Sequence, residues 1–181
     1  ILKRNNLSLI PDEQNVLNKF LDKRFAGDDE LLKKNKIFAS DSSQHGFTNK
    51  FYNGSKNVIL FSNIYWDVGL SATNTIFDGI ISWVIETIKI AASDPNINLF
   101  IKTHPEEFYS SNGSKKAMED FIYEAYPELP ENVFIIRPQM KVNSYDLTQY
   151  IDYALVYNGT LGLEYMLKGV PVVAAGLAPY T

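Results

Sequence analysis

Two predicted strand ends in this sequence carry polar residues that can bind an anion. An apolar run ends in Phe100-Ile101-Lys102-Thr103-His104-Pro105, and a second run ends in Tyr-Asn-Gly-Thr-Leu-Gly-Leu-Glu at 157–164 before entering a helix. In an open parallel α/β sheet, ligands bind in the crevice beyond the carboxyl ends of the strands. We therefore expect both segments to border one cleft.

His104 is the residue of the first segment with the clearest chemistry. The following Pro105 restricts the histidine to extended backbone geometry and so holds its imidazole at the sheet edge. There it can donate a hydrogen bond to a phosphate oxygen, or it can be an ordinary surface histidine in a loop between a strand and a helix. For Lys102, a solvated lysine is the expected state, because strand alternation does not require it to share a face with His104.

The second segment places Asn158, Gly159 and Thr160 where a strand meets the start of a helix. Backbone N–H groups at such a junction, with the positive end of the helix dipole, favour anions. Gly159 lets the backbone approach a ligand closely, and Thr160 either caps the helix or donates its hydroxyl to a phosphate. Glu164 lies one turn later on the same face and is either a ribose-binding carboxylate or an exposed helix glutamate.

The loop after the first predicted strand adds further candidates. Asn63 and Asp67 are expected to face the same cleft, and Trp66 either stacks on a ligand or packs against the domain. Glu106 and Glu107 follow Pro105 and are interpreted as surface charges that favour a helix start rather than as an acid/base pair.

The elements that position these residues alternate in a βα rhythm. Continuous apolar runs predict strands, and longer periodic segments predict helices. Gly169 occupies a common left-handed cap position after the last helix. The predicted strands are 58–61, 97–101, 133–136, 154–157 and 170–175, and the predicted helices are 76–92, 114–125, 144–151 and 160–167. This order predicts a Rossmann-like α/β fold, a parallel sheet with helices on both faces.

Residues 1–56 lack that rhythm and are interpreted as a connector or cap segment. Pro11 to Phe25 can form a helix with one apolar face. The Rossmann-like domain is assigned to 57–181, and the stop just after an apolar strand suggests a domain truncated at its C-terminus.

Composition excludes several functional classes. The formal net charge of -4 gives no basic footprint for nucleic acid, so we expect no nucleic-acid partner. The absence of cysteine suits a cytoplasmic protein. The two histidines form no metal-binding motif, so no metal site is expected. The sequence also contains no Walker or GxGxxG motif and no run of apolar residues long enough to span a membrane.

Three motifs in order resemble the donor half of a bacterial GT-B glycosyltransferase, most closely capsule polysaccharide biosynthesis and related surface-carbohydrate transferases. They are Ile-Lys-Thr-His-Pro-Glu-Glu at 101–107, the segment at 157–164, and Gly-Val-Pro-Val-Val-Ala-Ala-Gly at 169–176. Phe-Ser-Asn at 61–63 with Trp66-Asp67 fits the same family, and the resemblance covers about 57–181.

The resemblance implies a nucleotide-sugar-binding domain, with phosphate contacts from His104 and Thr160 and a ribose contact from Glu164. It implies a CMP-, CDP- or UDP-linked sugar donor as substrate, no tightly bound cofactor, and a glycan or lipid-linked acceptor. The N-terminal GT-B domain, which usually supplies the base that activates the acceptor, is missing from this chain, so the fragment alone is expected to be inactive. Peripheral docking of the full-length protein at the inner membrane stays open.

Other readings are a nucleotide-sugar 2-epimerase and a CDP-glycerol-type glycerophosphotransferase, whose donor halves are built alike. Related transferases often show two adjacent hydroxyl residues where this chain has Gly159 and Thr160, so the nucleotide stays unassigned. A non-catalytic flavodoxin-like binding module is the alternative from another class.

Overall fold

The computed structural model divides the chain into two compact units, Ile1–Ala39 and Ser40–Thr181. It describes residues 10–26, 48–52, 54–66, 76–109, 116–140 and 142–178.

The described part of the first unit is helix α1, Pro11–Phe25, which confirms the predicted helix. Proline stands at its first position, where the missing N–H has no intrahelical partner to lose. The carboxylate of Glu13 accepts a hydrogen bond from the N–H of Ile10 at 3.1 Å. None of its residues is buried.

The second unit is built on a five-stranded parallel sheet, which confirms the predicted fold class. The strands follow the order β3-β2-β1-β4-β5, and every neighbouring pair is parallel. Strands β2 and β3 therefore lie on one side of β1, and strands β4 and β5 lie on the other. The strands are β1 (Lys56–Phe61), β2 (Ile97–Lys102), β3 (Val133–Ile136), β4 (Tyr153–Val156) and β5 (Val172–Ala174).

Apolar clusters cover both faces of this sheet. The first cluster joins Leu60, Leu99 and Ile101 of the strands to residues of α2 (Ile80–Ala92) and α4 (Met118–Ala125). On the opposite face, Phe61 and Phe100 belong to a cluster that includes Tyr165 of α5 (Leu161–Leu167). Strand residues alternate between the two clusters, as two-sided burial requires.

Several predicted helix bounds differ from those observed. Helix α2 begins at Ile80 rather than residue 76, because Gly79 before it has φ 95°, outside the helical region. A four-residue helix, α3 (Glu106–Tyr109), follows β2. The segment predicted as a helix at 144–151 is a single 3₁₀ turn at Asp146–Gln149. Gly169 has φ 82°, which confirms its left-handed cap.

Buried amides tie the amino edge of the sheet to the preceding 3₁₀ turn, Thr48–Tyr52. The Asn57 amide donates to the carbonyls of Phe51 and Tyr150 at 3.0 and 2.9 Å, and its oxygen accepts from Asn98 at 3.0 Å. The Phe51 ring stacks on Tyr150 with centroids 4.8 Å apart. Part of the segment that the sequence assigned to the connector thus lies within the second unit and contacts the sheet.

Candidate functional site

The carboxyl edge of the sheet brings the predicted loops together. Phe61 at the end of β1 pairs with Lys102 of β2 on one side and Val156 of β4 on the other. His104 and Asn158 each follow two residues after those partners. Because adjacent strands lie about 4.8 Å apart, the β2 and β4 ends are about 10 Å apart, with β1 between them. Both segments therefore border one edge.

This edge is also the topological switch point of the sheet. From β1 the chain runs outward through β2 and β3 and then returns to β4 on the opposite side of β1. Loops after β1 and β4 consequently diverge to opposite faces and leave a crevice, which is where open α/β sheets bind ligands.

Asn63 lies in that crevice, as the sequence predicts. Its Nδ2 donates to Oδ1 of Asn158 at 2.9 Å, so the loops after β1 and β4 are directly joined. A Cβ on Gly159 would lie 3.7 Å from the Asn63 amide, an ordinary contact distance. Gly159 is thus close to Asn63, but a larger side chain's Cβ would fit at this position without a steric clash.

His104 is half-buried and carries a contact that the sequence did not reveal. Its Nδ1 accepts a hydrogen bond from the N–H of Glu106 at 3.2 Å. A neutral imidazole that accepts at Nδ1 carries its proton on Nε2. The histidine therefore caps the start of α3 with one nitrogen and has a donor at the other.

Thr160 and Glu164 occupy the first turns of α5. Thr160 is exposed and its side chain makes no capping hydrogen bond, so the capping interpretation is wrong. Glu164 is only 7% exposed, which argues against the exposed-glutamate alternative, and its Oε2 accepts from the hydroxyl of Tyr145 at 2.7 Å. Strand pattern and helix spacing gave no sign of Tyr145.

Two loop candidates after β1 have different outcomes. Asp67, predicted to face the cleft, lies outside the described residues. Trp66 packs edge-on against Tyr65, with ring centroids 4.8 Å apart. This contact agrees with the packing alternative.

Lys102 is the largest departure from the sequence expectation. It is 7% exposed rather than solvated, at the last position of β2. Burial lowers the pKa of its ammonium to about 8. It shares the sheet face of Phe100, since Ile101 and Thr103 on either side point to the other face.

Glu107 is also not the simple surface charge that the sequence suggested. Its Oε2 accepts from the N–H of Met118 at 3.2 Å, while Oε1 is buried without a partner among the described residues. Burial raises the pKa of this carboxyl to about 7; the Met118 contact opposes the rise, and the charges of Asp120 and Glu119 add to it.

We expect Glu107→Gln to flatten the pH dependence of stability. The pKa of the Glu107 carboxyl in the folded chain lies above the ordinary value of 4.5. The protonated carboxyl therefore makes its full contribution to the free energy of unfolding below about pH 4.5, and this contribution is lost as the pH rises through 7. At pH 8 the variant should be the more stable by on the order of 1 to 2 kcal/mol, since the side chain is still partly solvated. Urea unfolding at pH 5 and pH 8 measures this difference. Glu106→Gln, on the exposed neighbour, is the control, and an equal pH slope in both variants would contradict the expectation.

A depression of about 430 Å³ lies at the opposite, amino edge of the sheet, beside Asn57 and Asp152. Asn57 and Asp152 make structural contacts there. Asp152 binds Lys56 at 2.8 Å and the N–H of Asn57 at 2.9 Å, and the Lys56 hydrogen bond lowers the pKa of the carboxyl. The candidate site therefore stays at the carboxyl edge.

Neither a metal cluster nor a membrane span is found in the part of the chain that the structure describes. No three His, Cys, Asp or Glu side chains there are grouped closely enough to hold a metal ion. Likewise, no described helix is both long and apolar enough to cross a bilayer.

The parallel sheet, its two covered faces and its polar carboxyl edge define a Rossmann-like α/β domain. The family model for capsule polysaccharide biosynthesis proteins matches residues 32–181, so the chain belongs to this family. The proposed resemblance is thereby confirmed. No curated protein matches the chain significantly.

A solved structure supports the same fold. A KpsC beta Kdo 2,4 transferase from Thermosulfurimonas dismutans matches with a TM-score of 0.60 and 15% identity over 98% of this chain. This chain spans 49% of that one. The KpsC beta Kdo 2,7 transferase of the same organism matches with a TM-score of 0.47 and 22% identity, over 70% of this chain and 36% of the other. A UDP-GlcNAc 2-epimerase from Neisseria meningitidis matches with a TM-score of 0.45 and 17% identity, over 68% of this chain and 28% of the other. The last two similarities are too weak to support a functional argument.

Proposed function

We propose that this chain is the donor-binding domain of a GT-B glycosyltransferase that builds a capsular or other cell-surface polysaccharide. A nucleotide-activated sugar would be the donor, and a growing glycan the acceptor. The observation that supports the proposal is the hydrogen bond between Asn63 and Asn158 at the switch-point edge of a sheet in a capsule-synthesis family chain, with His104 following the neighbouring strand at the same edge.

The proposed chemistry is stabilisation of the departing nucleotide. Negative charge develops on its phosphate as the bond to the sugar breaks, and donors fixed in advance around that position lower the barrier. The Nε2–H of His104 and the hydroxyl of Thr160 are the proposed donors, with the backbone at Asn158 and Gly159 closing the site. Glu164 would contact the ribose.

A candidate for the donor sugar comes from the name of one structural relative. Because the KpsC relative is a Kdo transferase, Kdo is one candidate for the transferred sugar. The chain spans about half the length of that relative. We propose that the acceptor-binding site and the base that activates the acceptor belong to a further N-terminal domain.

Nucleotide binding tests the proposal directly. Among CMP, CDP, UDP and GDP, we expect at least one to bind saturably, and His104→Ala and Thr160→Ala each to weaken it. Losing one charge-assisted phosphate contact costs about 1.5 to 3 kcal/mol, which is roughly a 10- to 150-fold rise in Kd. Isothermal titration calorimetry measures these constants.

Two further variants separate phosphate binding from helix capping. His104→Asn keeps an acceptor for the Glu106 N–H, since asparagine is a good capping residue, but removes the Nε2 donor. We expect His104→Asn to fold normally and bind as poorly as His104→Ala. Thr87→Ala, in helix α2, is the control and should leave affinity unchanged. Failure of all four nucleotides to bind would favour a non-catalytic module instead.

A further inference from the structure

Lys102 is a buried cation whose negative partner is missing from the described chain. Its carbonyl accepts from the N–H of Ser62 at 3.1 Å, which fixes the backbone at the end of β2. No hydrogen bond or ion pair of its Nζ is present among the described residues, although the side chain is 7% exposed. The residues paired with Lys102 on the two neighbouring strands, Phe61 and Ile136, are both apolar.

A largely buried lysine without a negative partner is costly. Lysine is almost never fully buried unless it is paired, because desolvation of the charge outweighs packing of the stem. Burial is the cause that lowers the pKa of Lys102, and no carboxylate among the described residues raises it. With a pKa of about 8, the group is still mostly charged at pH 7. The described residues of the folded chain thus supply no counter-charge for this lysine.

The position of the charge indicates what compensates it. Lys102 ends its strand at the carboxyl edge, two residues before His104, and its side chain lies on the same sheet face as Tyr165 of α5. Helix α5 is preceded by Thr160. A flexible four-carbon stem lets the ammonium move toward a ligand at this edge.

We propose that Lys102 is an anion-binding residue of the donor site, and that the phosphate of a bound nucleotide supplies the counter-charge that the described residues do not provide. This inference rests on the proposed function. It adds a third phosphate-binding side chain to His104 and Thr160, and it predicts a site whose charges balance only when the donor is present.

The variant Lys102→Met distinguishes this role from a structural one. Methionine keeps an unbranched apolar stem and removes the charge, and replacing an uncompensated buried charge with an apolar side chain is neutral or stabilising. We expect the ligand-free variant to melt at or above the temperature of the unmodified chain. A lysine that mainly holds the fold together would give a lower melting temperature, or an unfolded chain, and either result would overturn the proposal.

Binding then tests the role in the site. For the nucleotide that the unmodified chain binds best among CMP, CDP, UDP and GDP, Lys102→Met should raise Kd at least tenfold, while Kd for the corresponding nucleoside stays the same. Lys56→Met removes the exposed lysine paired with Asp152 and is the matched control, with no expected change. Unchanged nucleotide affinity in Lys102→Met would refute this role and leave the proposed function standing. Absence of nucleotide binding by the unmodified chain would overturn both.

A spectroscopic readout reports on the ammonium itself. In a chain with 13Cε-labelled lysine, the signal absent from Lys102→Met should titrate near pH 8 without ligand and at a clearly higher pH with saturating nucleotide. Lys56 should be unaffected by the nucleotide. A Lys102 titration that does not move on saturation would contradict the direct contact.

Discussion

Tyr165→Ala is expected to lower the free energy of unfolding by about 3 to 5 kcal/mol, the usual cost of deleting a buried aromatic side chain. Tyr165 is fully buried, and its ring lies edge-on to Phe61 with centroids 4.9 Å apart. Its hydroxyl donates to the carbonyl of Ser144 at 2.6 Å. The side chain therefore fixes α5 on the sheet, and with it the position of Thr160. Urea unfolding of both chains measures the loss.

Tyr165→Phe separates the two contributions of this residue. The ring stays and only the hydrogen bond to Ser144 is lost, so the cost should fall to about 1 kcal/mol. A loss in Tyr165→Ala no larger than that in Tyr165→Phe would show that the ring does not anchor the helix.

Asn57→Ala is the second change with a large expected effect, about 2 to 4 kcal/mol of unfolding free energy. It removes the partner of the Phe51 and Tyr150 carbonyls and one acceptor of the Asn98 amide. Buried polar groups left without a partner cost about 1 to 3 kcal/mol each. Asn98 keeps a second contact, to the carbonyl of Lys50 at 2.9 Å, which limits the total. Thermal and urea unfolding provide the measurement.

Ser55→Ala provides the comparison for this amide network. Ser55 also lies before β1 and donates to the carbonyl of Pro95 at 3.3 Å, but this hydrogen bond is exposed to solvent. Its loss should cost less than about 0.5 kcal/mol, as for most surface substitutions. Similar losses in the two variants would mean that burial of the Asn57 amide contributes little.

Much of the fold was predictable because parallel strands buried on both faces read as short apolar runs. The strand at 133–136 has the predicted bounds, and Gly169 has the predicted left-handed backbone. Helix starts were less predictable. The apolar pattern at 76–79 continues that of α2, but the backbone of Gly79 delays the helix to Ile80.

The candidate site was predictable in its location and less so in its contacts. Strand ends located His104, Asn158 and Asn63 at one edge, because topology brings together the carboxyl ends of parallel strands. Burial of Lys102 and Glu164 was not predictable, since it depends on what covers a face rather than on which face a residue occupies. The roles of these side chains toward a donor stay predictions.

A crystal structure of the chain with the nucleotide that it binds best among CMP, CDP, UDP and GDP tests the central claim most directly. The account predicts the phosphate at the carboxyl edge, within hydrogen-bond distance of Nε2 of His104 and of the backbone at 158–160. A nucleotide bound at the amino edge, in the depression beside Asp152, or a phosphate remote from His104 would contradict it.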